Sequence, residues 1–350
     1  MKNFGIIGGG SIANLHADAI RDMKGGQLIA AFVRNPERAK IFAEKHGCEV
    51  YTKEEELLAD DRIEIVVIAT ASGVHLESTI LAAKAGKHII CEKPLEVTPA
   101  RVQQMIEVCD EYGVMLAGIF NRRFTPAVDY LKSAIEQGRF GRLTLCDAYV
   151  KWYRDQAYYD SGAWRGTWKL DGGGALMNQS IHSIDLLNYL AGDIKRLSAS
   201  TTTLTHQNIE VEDTAVAILE FEHGGRGVIE GSTSCWSSEG LPAEIHISGE
   251  KGSVFLRDEV FRVWDFAEEA EEDAYIKENL MYSGQAAQGA NDPKAINYMG
   301  HLRNFEDVVE ALESGRAPKV TGAEGIKAIK IIDAIYESSR NRGQWIEIAN

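Results

Sequence analysis

Residues 4–13 read Phe-Gly-Ile-Ile-Gly-Gly-Gly-Ser-Ile-Ala, a short apolar run that ends in three glycines and leads into a helical pattern. Within it, Gly8, Gly10 and Ala13 fit the spacing Gly-x-Gly-x-x-Ala, which joins the first strand of a dinucleotide-binding fold to its first helix. The first glycine permits the tight turn, the second lets the backbone approach a pyrophosphate, and the small third residue lets helix and strand pack. An ordinary strand-to-helix turn is the plainer alternative, but the position after the first strand favours a dinucleotide site.

The first 120 residues continue this pattern, because short apolar runs alternate there with helical stretches. Ile63–Ala69 is nearly continuous in β-branched residues, as a strand buried on both faces must be. Asn35 and Pro36 predict a helix start, with Asn as the N-cap and Pro in the first turn. Strands separated by helical crossovers form parallel βαβ units, so we predict an α/β Rossmann domain of about five parallel strands over residues 1–122.

A different pattern begins near Leu143, where strand-like runs follow one another through turn signals. The runs are Leu143–Trp152, Ser198–Leu204, Ala215–Glu222, Gly227–Ser234, Ile245–Gly249 and Val254–Leu256. Helical patterns cover Gly172–Leu190, His301–Ser314 and Gly325–Arg340. The acidic and then Gly/Gln/Asn-rich stretch Glu268–Ala295 predicts a loop. We expect residues 123–350 to form an α+β domain, an open, mostly antiparallel sheet with helices.

The composition is that of a globular protein. The chain has 350 residues, of which 45% are hydrophobic and 25% are charged, so disorder of the whole chain is excluded. The 37 basic and 52 acidic residues give a net charge of −15, which argues against nucleic acid as the partner. No apolar run reaches the ~18 residues that a membrane helix needs.

The cysteines and the first residues exclude further classes of protein. The five cysteines are scattered and never stand in a Cys-x-x-Cys spacing, so we predict neither a disulfide framework nor a metal site. Residues 1–8 carry one positive charge and lack the apolar segment and cleavage site of a signal peptide. We therefore expect a cytoplasmic protein.

Three further motifs follow the glycine motif in order. They are Glu-Lys-Pro at residues 92–94, Asn-Arg-Arg-Phe-Thr-Pro at residues 121–126, and the run that begins Gly-Gly-Gly at residues 172–185. This ordered set resembles the Gfo/Idh/MocA oxidoreductases, the family of glucose–fructose oxidoreductase and inositol dehydrogenase. The resemblance implies a Rossmann domain followed by an open-sheet domain, a nicotinamide cofactor, a carbohydrate or cyclitol substrate, and a catalytic pair at Lys93 and His182.

Elementary chemistry supports roles for these two side chains. Oxidising an alcohol requires a base for the hydroxyl proton, and histidine is the side chain whose ordinary pKa lies nearest neutral pH. A nearby lysine ammonium keeps the imidazole neutral and can stabilise a developing alkoxide. We therefore expect His182 to act as acid and base, with Lys93 as its electrostatic partner. The plainer alternatives are a buried structural histidine and a surface lysine before a turn.

Two polar residues accompany His182 on the predicted helix. Asn178, His182 and Asp185 stand at i, i+4 and i+7 and so share one helix face, where we expect Asn178 and Asp185 to bind substrate. The resemblance implies Asp at the position of Asn178 in many relatives, the inositol dehydrogenases among them. An amide can hydrogen-bond hydroxyls but cannot relay a proton, so a simple inositol dehydrogenase assignment is in doubt. Asp185 is either an orienting residue or a structural carboxylate.

The expected cofactor contacts extend beyond the glycine motif. An NAD enzyme places Asp or Glu about 20 residues after the glycines, at the end of the second strand, to bind the ribose. Here Arg34 can face a 2′-phosphate instead, so NADP(H) is slightly favoured over NAD(H), unless Arg34 is only a solvated surface residue. His75 either lies near the cofactor, as its match to a family position implies, or caps a helix. The predicted cofactor contacts are Gly8, Gly10, Ser11, Ile12, Arg34, Thr70, His75, Glu92 and Lys93.

Aromatic and cationic side chains are dense between Trp152 and Lys169, just before the helix that carries His182. Flat aromatic faces suit the C–H faces of sugar rings, and arginine or lysine suits hydroxyls or a carboxylate. Core packing or oligomer contacts would explain the same aromatic residues. His301 either lines the pocket or caps a helix. The predicted substrate contacts are Arg123, Tyr153, Trp164, Arg165, Trp168, Asn178 and Asp185.

These features leave three hypotheses for the function. The first is an NAD(P)-dependent oxidoreductase that transfers a hydride between a hydroxyl-bearing carbon of a sugar, glycoside or cyclitol and the nicotinamide ring. The second is an NAD-dependent glycoside hydrolase or lyase that oxidises its sugar transiently with the same motifs. The third is a non-catalytic regulator that senses cofactor, and the presence of Lys93 and His182 argues against it. An open apolar sheet face also predicts a homodimer or homotetramer.

Overall fold

The computed structural model describes residues 1–283 and 298–349, and these residues divide into two units. The first unit comprises residues 1–121 and 298–326, and the second comprises residues 122–283 and 327–349. Elements are numbered below along the whole chain. Residues 298–326, which the sequence placed in the second domain, belong to the first unit instead.

The first unit contains a sheet of six parallel strands in the order β3-β2-β1-β4-β5-β6. The strands are β1 (Lys2–Ile7), β2 (Gly26–Phe32), β3 (Glu49–Tyr51), β4 (Ile65–Ile68), β5 (His88–Cys91) and β6 (Leu116–Gly118). The strand order reverses between β1 and β4, and open α/β sheets bind their ligands outside the carboxyl ends of the strands at such a point.

Helices connect these strands. They are α1 (Ser11–Asp22), α2 (Pro36–His46), α3 (Glu54–Leu58), α4 (His75–Lys84), α5 (Pro99–Tyr112) and α10 (Met299–Ser314), and α11 (Gly322–Arg340) begins in this unit and continues into the second. As predicted, Asn35 caps α2: its side chain accepts the N–H of Arg38 at 3.0 Å, and Pro36 occupies the first turn.

Helix α10 joins the first unit through its apolar face. Phe305 and Val308 are fully buried in the same cluster as Phe4 of β1 and Ile20 of α1. The rings of Phe305 and Phe4 lie 6.2 Å apart. The sequence pattern predicts an amphipathic helix here but not the sheet on which it packs.

The second unit contains an eight-stranded mixed sheet in the order β13-β12-β11-β7-β10-β9-β8-β14. The strands are β7 (Leu143–Lys151), β8 (Ile194–Thr202), β9 (Thr214–Phe221), β10 (Arg226–Ser232), β11 (Glu244–Gly249), β12 (Gly252–Arg257), β13 (Val260–Phe266) and β14 (Ile346–Glu347). Strands β7 and β10 pair in parallel, and the remaining neighbours are antiparallel. The expected Rossmann sheet and mostly antiparallel second sheet are thus confirmed.

One face of the second sheet is covered and the other is open. The helices of this unit are α6 (Pro126–Glu136), α7 (Gln156–Asp160), α8 (Ile181–Ala191) and α9 (Glu272–Asn279), and α8 packs on β7 and β11. On the opposite face, Leu145, Val216 and Ile218 are 48%, 46% and 52% exposed. This is the apolar face that the sequence predicted.

The stretch Glu268–Ala295 was predicted as a loop, but its first half contains helix α9. Residues 284–295 of that prediction lie outside the described residues. Among the helices that the structure describes, none combines the length and apolar composition needed to cross a membrane.

Candidate active site

The turn between β1 and α1 is built from Gly8, Gly9 and Gly10. Gly8 has a φ of +133°, which favours glycine, and a Cβ there would come within 2.5 Å of the carbonyl oxygen of Ala69. A Cβ on Gly9 would lie 2.6 Å from the side chain of Val33. Packing inside the protein therefore explains the first two glycines.

Gly10 differs from its neighbours. Its φ of −84° suits any residue, and a Cβ there would meet nothing within 4 Å in the described part of the chain. The protein's own packing therefore gives no reason for glycine at this position, whereas a ligand that passes close to the backbone does. The space beside Gly10 is open to a ligand.

A pocket of about 330 Å³ lies at this turn. It is lined by Gly9, Gly10, Ser11, Asn14, Arg38, Ile41 and Phe42. Gly10 occupies the N-cap of α1, and the first helical turn carries no acidic residue. The N–H groups and the positive end of the helix dipole are thus available to an anion. Of the predicted contacts, Ser11 lines the pocket, whereas Ile12 packs against the core.

Positive charge stands at the end of β2, where an NAD enzyme would place a carboxylate. Arg34 is exposed there, but Arg38, in the first turn of α2, is the arginine that lines the pocket. Sequence reasoning missed Arg38, although its place three residues after the N-cap Asn35 could have indicated it. The predicted contact Arg34 is not among the residues that line this pocket.

Lys93 stands in the loop after β5, at the carboxyl end of a parallel strand, and its peptide bond to Pro94 is cis. The Glu92 carboxylate accepts the N–H of Lys93 at 2.9 Å. On the other side, the buried ring of His75 donates from Nδ1 to the carbonyl oxygen of Pro94 at 3.0 Å. His75 therefore holds the Lys93 loop, a role that neither of its predicted alternatives described. Thr70 follows β4 at the same edge of the sheet.

Glu92 is buried, and both of its oxygens contact the protein rather than open space. Oε1 lies 2.8 Å from His16 Nε2 and 4.0 Å from His301 Nε2. Burial acts to raise the pKa of Glu92, but the close contact with His16 and neighbouring positive charge outweigh it and lower that pKa to about 2. Burial and the neighbouring His16 lower the pKa of His301 to about 3. His301 is thus a buried neutral ring in the first turn of α10, whose N-cap is Tyr298, and the Glu92 carboxylate contacts His16 and the Lys93 backbone.

His182 lies in the first turn of α8, directly after Ala175–Ser180, which form a π-helix. The α-helix predicted over Gly172–Leu190 is therefore correct only from Ile181 onward. Because a π-helix has a wider turn than an α-helix, the i, i+4 spacing no longer places Asn178 on the face of His182. His182 and Asp185 both lie within α8 and keep the predicted α-helical relation.

A buried carboxylate holds the start of this π-helical segment. Glu212 accepts the N–H of Gly174 at 3.1 Å and the N–H of Leu176 at 2.8 Å. A Cβ on Gly174 would overlap the carbonyl oxygen of Glu212, so glycine is required there. Burial raises the pKa of Glu212 to about 7, against the opposing effect of these hydrogen bonds. Sequence reasoning missed Glu212 because no local signal connects it to a segment so far away in the chain.

Asn178 belongs to a hydrogen-bonded network. Its amide donates to Asp171 at 2.7 Å, and its oxygen accepts from the Tyr158 hydroxyl at 3.3 Å. That hydroxyl in turn accepts from Arg165 at 2.6 Å and from Gln179 at 2.8 Å. The structure thus joins two predicted substrate contacts, Asn178 and Arg165, through Tyr158. It also places the carboxylate of Asp171, which the sequence did not single out, beside the amide.

Arg123 and Asp185 pair with each other. Arg123 donates from Nε and Nη2 to the two Asp185 oxygens, at 2.8 and 2.7 Å, and both side chains are buried. A buried two-point pair of this kind matches both charges and both hydrogen-bonding patterns. The contacts support the structural alternative for Asp185 and give Arg123 a partner inside the protein.

The predicted aromatic contacts differ in their surroundings. Trp164 is partly buried with the Arg165 guanidinium 4.5 Å from its ring, whereas Tyr153 and Trp168 are exposed. Trp168 meets Tyr336 edge-on at 5.0 Å. Tyr153 and Trp168 are 36% and 43% exposed, so both are surface aromatic residues rather than core residues.

Two family matches together cover most of the chain. Residues 2–120 match the Gfo/Idh/MocA oxidoreductase family in its NAD-binding Rossmann fold. Residues 132–348 match the C-terminal alpha/beta domain of the same family. Each match falls on one of the two sheets described above.

Several named proteins are similar to the chain along its length. A myo-inositol 2-dehydrogenase from Thermotoga maritima is 28% identical over 336 residues, which cover 93% of this chain and 92% of that protein. The WlbA dehydrogenase from Bordetella pertussis, crystallised with NADH and UDP-GlcNAcA, superposes with a TM-score of 0.87 at 32% identity over 100% of both chains. A levoglucosan dehydrogenase in complex with NADH and levoglucosan gives a TM-score of 0.84 at 25% identity over 99% of both chains.

The strand order, the glycine turn and the matches to both domains agree with one another. The chain belongs to the Gfo/Idh/MocA family of oxidoreductases.

Proposed function

We propose that this protein is a dehydrogenase that transfers a hydride between a hydroxyl-bearing carbon of a carbohydrate or cyclitol and a nicotinamide dinucleotide. The observation that carries the proposal is the open space beside Gly10, at a helix N-terminus where packing requires no glycine. When bound, the dinucleotide supplies the nicotinamide ring as hydride acceptor. Membership of an oxidoreductase family with an NAD-binding Rossmann fold supports the same function.

The end of β2 bears on the choice between NAD and NADP. Arg38 lines the pocket and Arg34 is exposed next to it, so this edge is positively charged. Guanidinium groups bind phosphate through paired hydrogen bonds, which would favour a 2′-phosphate. The WlbA and levoglucosan dehydrogenase structures contain NADH. We propose that both cofactors are accepted here and that Arg38 raises the affinity for NADP(H).

We assign proton transfer to His182 and charge stabilisation to Lys93. His182 is partly exposed in the first turn of α8, where its ring can reach a ligand while the helix fixes its backbone. Lys93 stands at the carboxyl end of β5, the edge of the sheet where α/β folds bind ligands. A neutral imidazole takes the hydroxyl proton, and an ammonium stabilises the negative charge that develops on oxygen.

The network around Tyr158 supports a polar, ring-shaped substrate. Arg165, Asn178 and Gln179 converge on one hydroxyl and together offer donors and acceptors for substrate hydroxyls. The Arg165 guanidinium also suits a carboxylate on the substrate. We therefore propose a sugar, glycoside or cyclitol, and a sugar that carries a carboxylate is the first compound class to test.

The experiment is a turnover screen with the purified protein. NAD and NADP are each combined with UDP-GlcNAcA, levoglucosan, myo-inositol and unmodified sugars, and the absorbance of reduced nicotinamide is followed. We expect at least one compound to yield reduced cofactor in the same amount as the substrate consumed. Release of an aglycone without net reduction, or no turnover with any compound, would contradict the proposal. Gly10→Leu protein is the control for cofactor-independent absorbance changes.

A further inference from the structure

Behind the Lys93 loop, the first unit buries three ionisable side chains that the proposed reaction does not use. His16 of α1, Glu92 after β5 and His301 of α10 are 0%, 6% and 4% exposed. Burying such groups is costly unless they pair with one another. The closest approach is 2.8 Å, between His16 Nε2 and Glu92 Oε1, and the two histidine rings stand 5.5 Å apart.

Glu92 connects this cluster to Lys93. Its Oε1 faces His16, whereas its Oε2 accepts the backbone N–H of Lys93 at 2.9 Å. The N–H of Glu92 itself donates to the carbonyl oxygen of Ile68 in β4 at 3.0 Å. One carboxylate therefore ties helix α1 to the backbone from which the Lys93 side chain projects.

We propose that His16 and Glu92 are positioning residues for Lys93. His16 fixes the orientation of the Glu92 carboxylate, and the carboxylate fixes the Lys93 amide and with it the direction in which the ammonium is presented. This inference rests on the proposed function, in which Lys93 stabilises charge. His16 lies on the helix whose first turn lines the pocket at Gly10, so the same helix sets both the pocket and the lysine.

The same three side chains are of types that bind metal ions, so the direct pair of His16 and Glu92 has an alternative, which elemental analysis of the purified protein tests. His16 Nε2 is 2.8 Å from Glu92 Oε1, and His301 Nε2 is 4.0 Å from that oxygen. The lowered pKa of Glu92 leaves an ionised carboxylate beside His16. The lowered pKa of His301 leaves a neutral ring packed against the two residues.

Three substitutions of His16 separate positioning from simple packing. His16→Leu removes the donor but fills the space, His16→Gln keeps a nitrogen that can reach the carboxylate, and His16→Asn carries a donor on a shorter side chain. The first readout is amide hydrogen exchange in the protein without cofactor. We expect the Lys93 amide to exchange at least about tenfold faster than in the wild type in His16→Leu and His16→Asn. In His16→Gln its exchange rate should return toward that of the wild type. The Glu92 amide, bonded to Ile68, is the internal reference and should not change.

The second readout is steady-state kinetics with the substrate identified by the screen. We expect kcat to fall at least about tenfold in His16→Leu and His16→Asn, while KM for substrate and for cofactor stays within about twofold. His16→Gln should recover most of the lost kcat. Lys93→Met provides the reference for complete loss of the ammonium. If His16→Leu does not fold, the comparison of His16→Gln with His16→Asn decides.

Each result supports or overturns a distinct claim. If Lys93→Met lowers kcat but the His16 variants leave kcat and Lys93 exchange unchanged, the positioning role is wrong and the proposed function stands. If Lys93→Met turns over at the wild-type rate, the role assigned to Lys93 fails and the positioning role fails with it, whereas the proposed function fails only if the screen yields no reduced cofactor. One equivalent of metal per chain in elemental analysis of the purified protein would also overturn the direct pair.

Discussion

At the scale of single residues, a substitution of Gly10 tests ligand binding without a change in stability. Because a Cβ there meets nothing within 4 Å in the described residues and its φ is −84°, Gly10→Leu should leave the melting temperature unchanged. The added side chain fills the space beside the helix N-terminus, so the affinity for dinucleotide should fall at least about a hundredfold in calorimetric titration. Gly9→Leu is the matched control, because its side chain would meet Val33 and lower the melting temperature. Unchanged dinucleotide affinity in Gly10→Leu would show that the turn has another purpose.

Arg38 provides a second test at the residue scale. It lines the pocket, whereas Arg34 is exposed beside it. In Arg38→Asp, reversal of charge should lower the NADP-to-NAD affinity ratio by about tenfold or more, measured by titration with each cofactor. Arg34→Asp is the control and should change the ratio less. Equal ratios in the wild type and in Arg38→Asp would contradict this role.

Single residues also show where the sequence is informative and where it is not. The spacing of the glycine motif predicted the turn, because the three glycines stand next to one another directly after a strand-like run. The pairing of Arg123 with Asp185 could not be predicted, because residues 62 positions apart meet only after folding. Charged residues near a motif therefore look like substrate contacts in the sequence, whether or not the fold pairs them internally.

At the scale of elements, the π-helical segment before His182 depends on one buried acid. The pKa of Glu212 is raised by burial from 4.5 to about 7, so the folded protein favours the protonated form. Protonated Glu212 contributes to the free energy of unfolding, and this contribution is complete below about pH 4.5. It falls by up to about 3 kcal/mol as the pH rises through about 7. We therefore expect the free energy of unfolding to fall more between about pH 5 and pH 8 in the wild type than in Glu212→Gln.

Chemical denaturation at several pH values measures this difference. The hydrogen bonds that Gln cannot replace are lost at every pH. Their effect on the free energy of unfolding therefore cancels when the values at about pH 5 and pH 8 are subtracted. Glu210→Gln, at an exposed neighbouring position, controls for the loss of a carboxylate. If the free energy of unfolding changes with pH by the same amount in the wild type and in Glu212→Gln, Glu212 does not titrate in this range.

Elements with strong local signals were predicted well. Helix α5 is bounded by such signals, because Thr98 caps it, Pro99 opens it and Gly113 ends it in a left-handed conformation. Strand β3 was missed because three residues are too few to show a hydrophobic period. Strand β14, of two residues, forms only because β8 offers it an edge. Tertiary contacts rather than a local pattern thus define these two strands.

At the scale of the whole molecule, the open sheet face predicts association between copies of the chain. Leu145, Val216 and Ile218 are about half exposed on this face, and a second copy would bury them. Light scattering should give a mass that is a multiple of 38.6 kDa, as a dimer or tetramer. Ile218→Asp should shift the mass toward that of one chain, whereas Leu204→Asp, at an exposed apolar position outside the strands, should not. A wild-type mass of one chain at micromolar concentration would contradict the prediction.

The central claim is that His182 and Lys93 serve the oxidation of a substrate hydroxyl by the bound dinucleotide. Its most direct test is the single-turnover rate of reduced nicotinamide formation in the wild type, His182→Ala, Lys93→Met and the double variant, with cofactor affinity measured alongside. We expect the rate to fall by about 10²–10⁴ in His182→Ala and also to fall in Lys93→Met, with cofactor affinity unchanged. The two losses should combine less than additively, because the two groups act in one step. A near-normal rate in His182→Ala, or fully additive losses in the double variant, would contradict the claim.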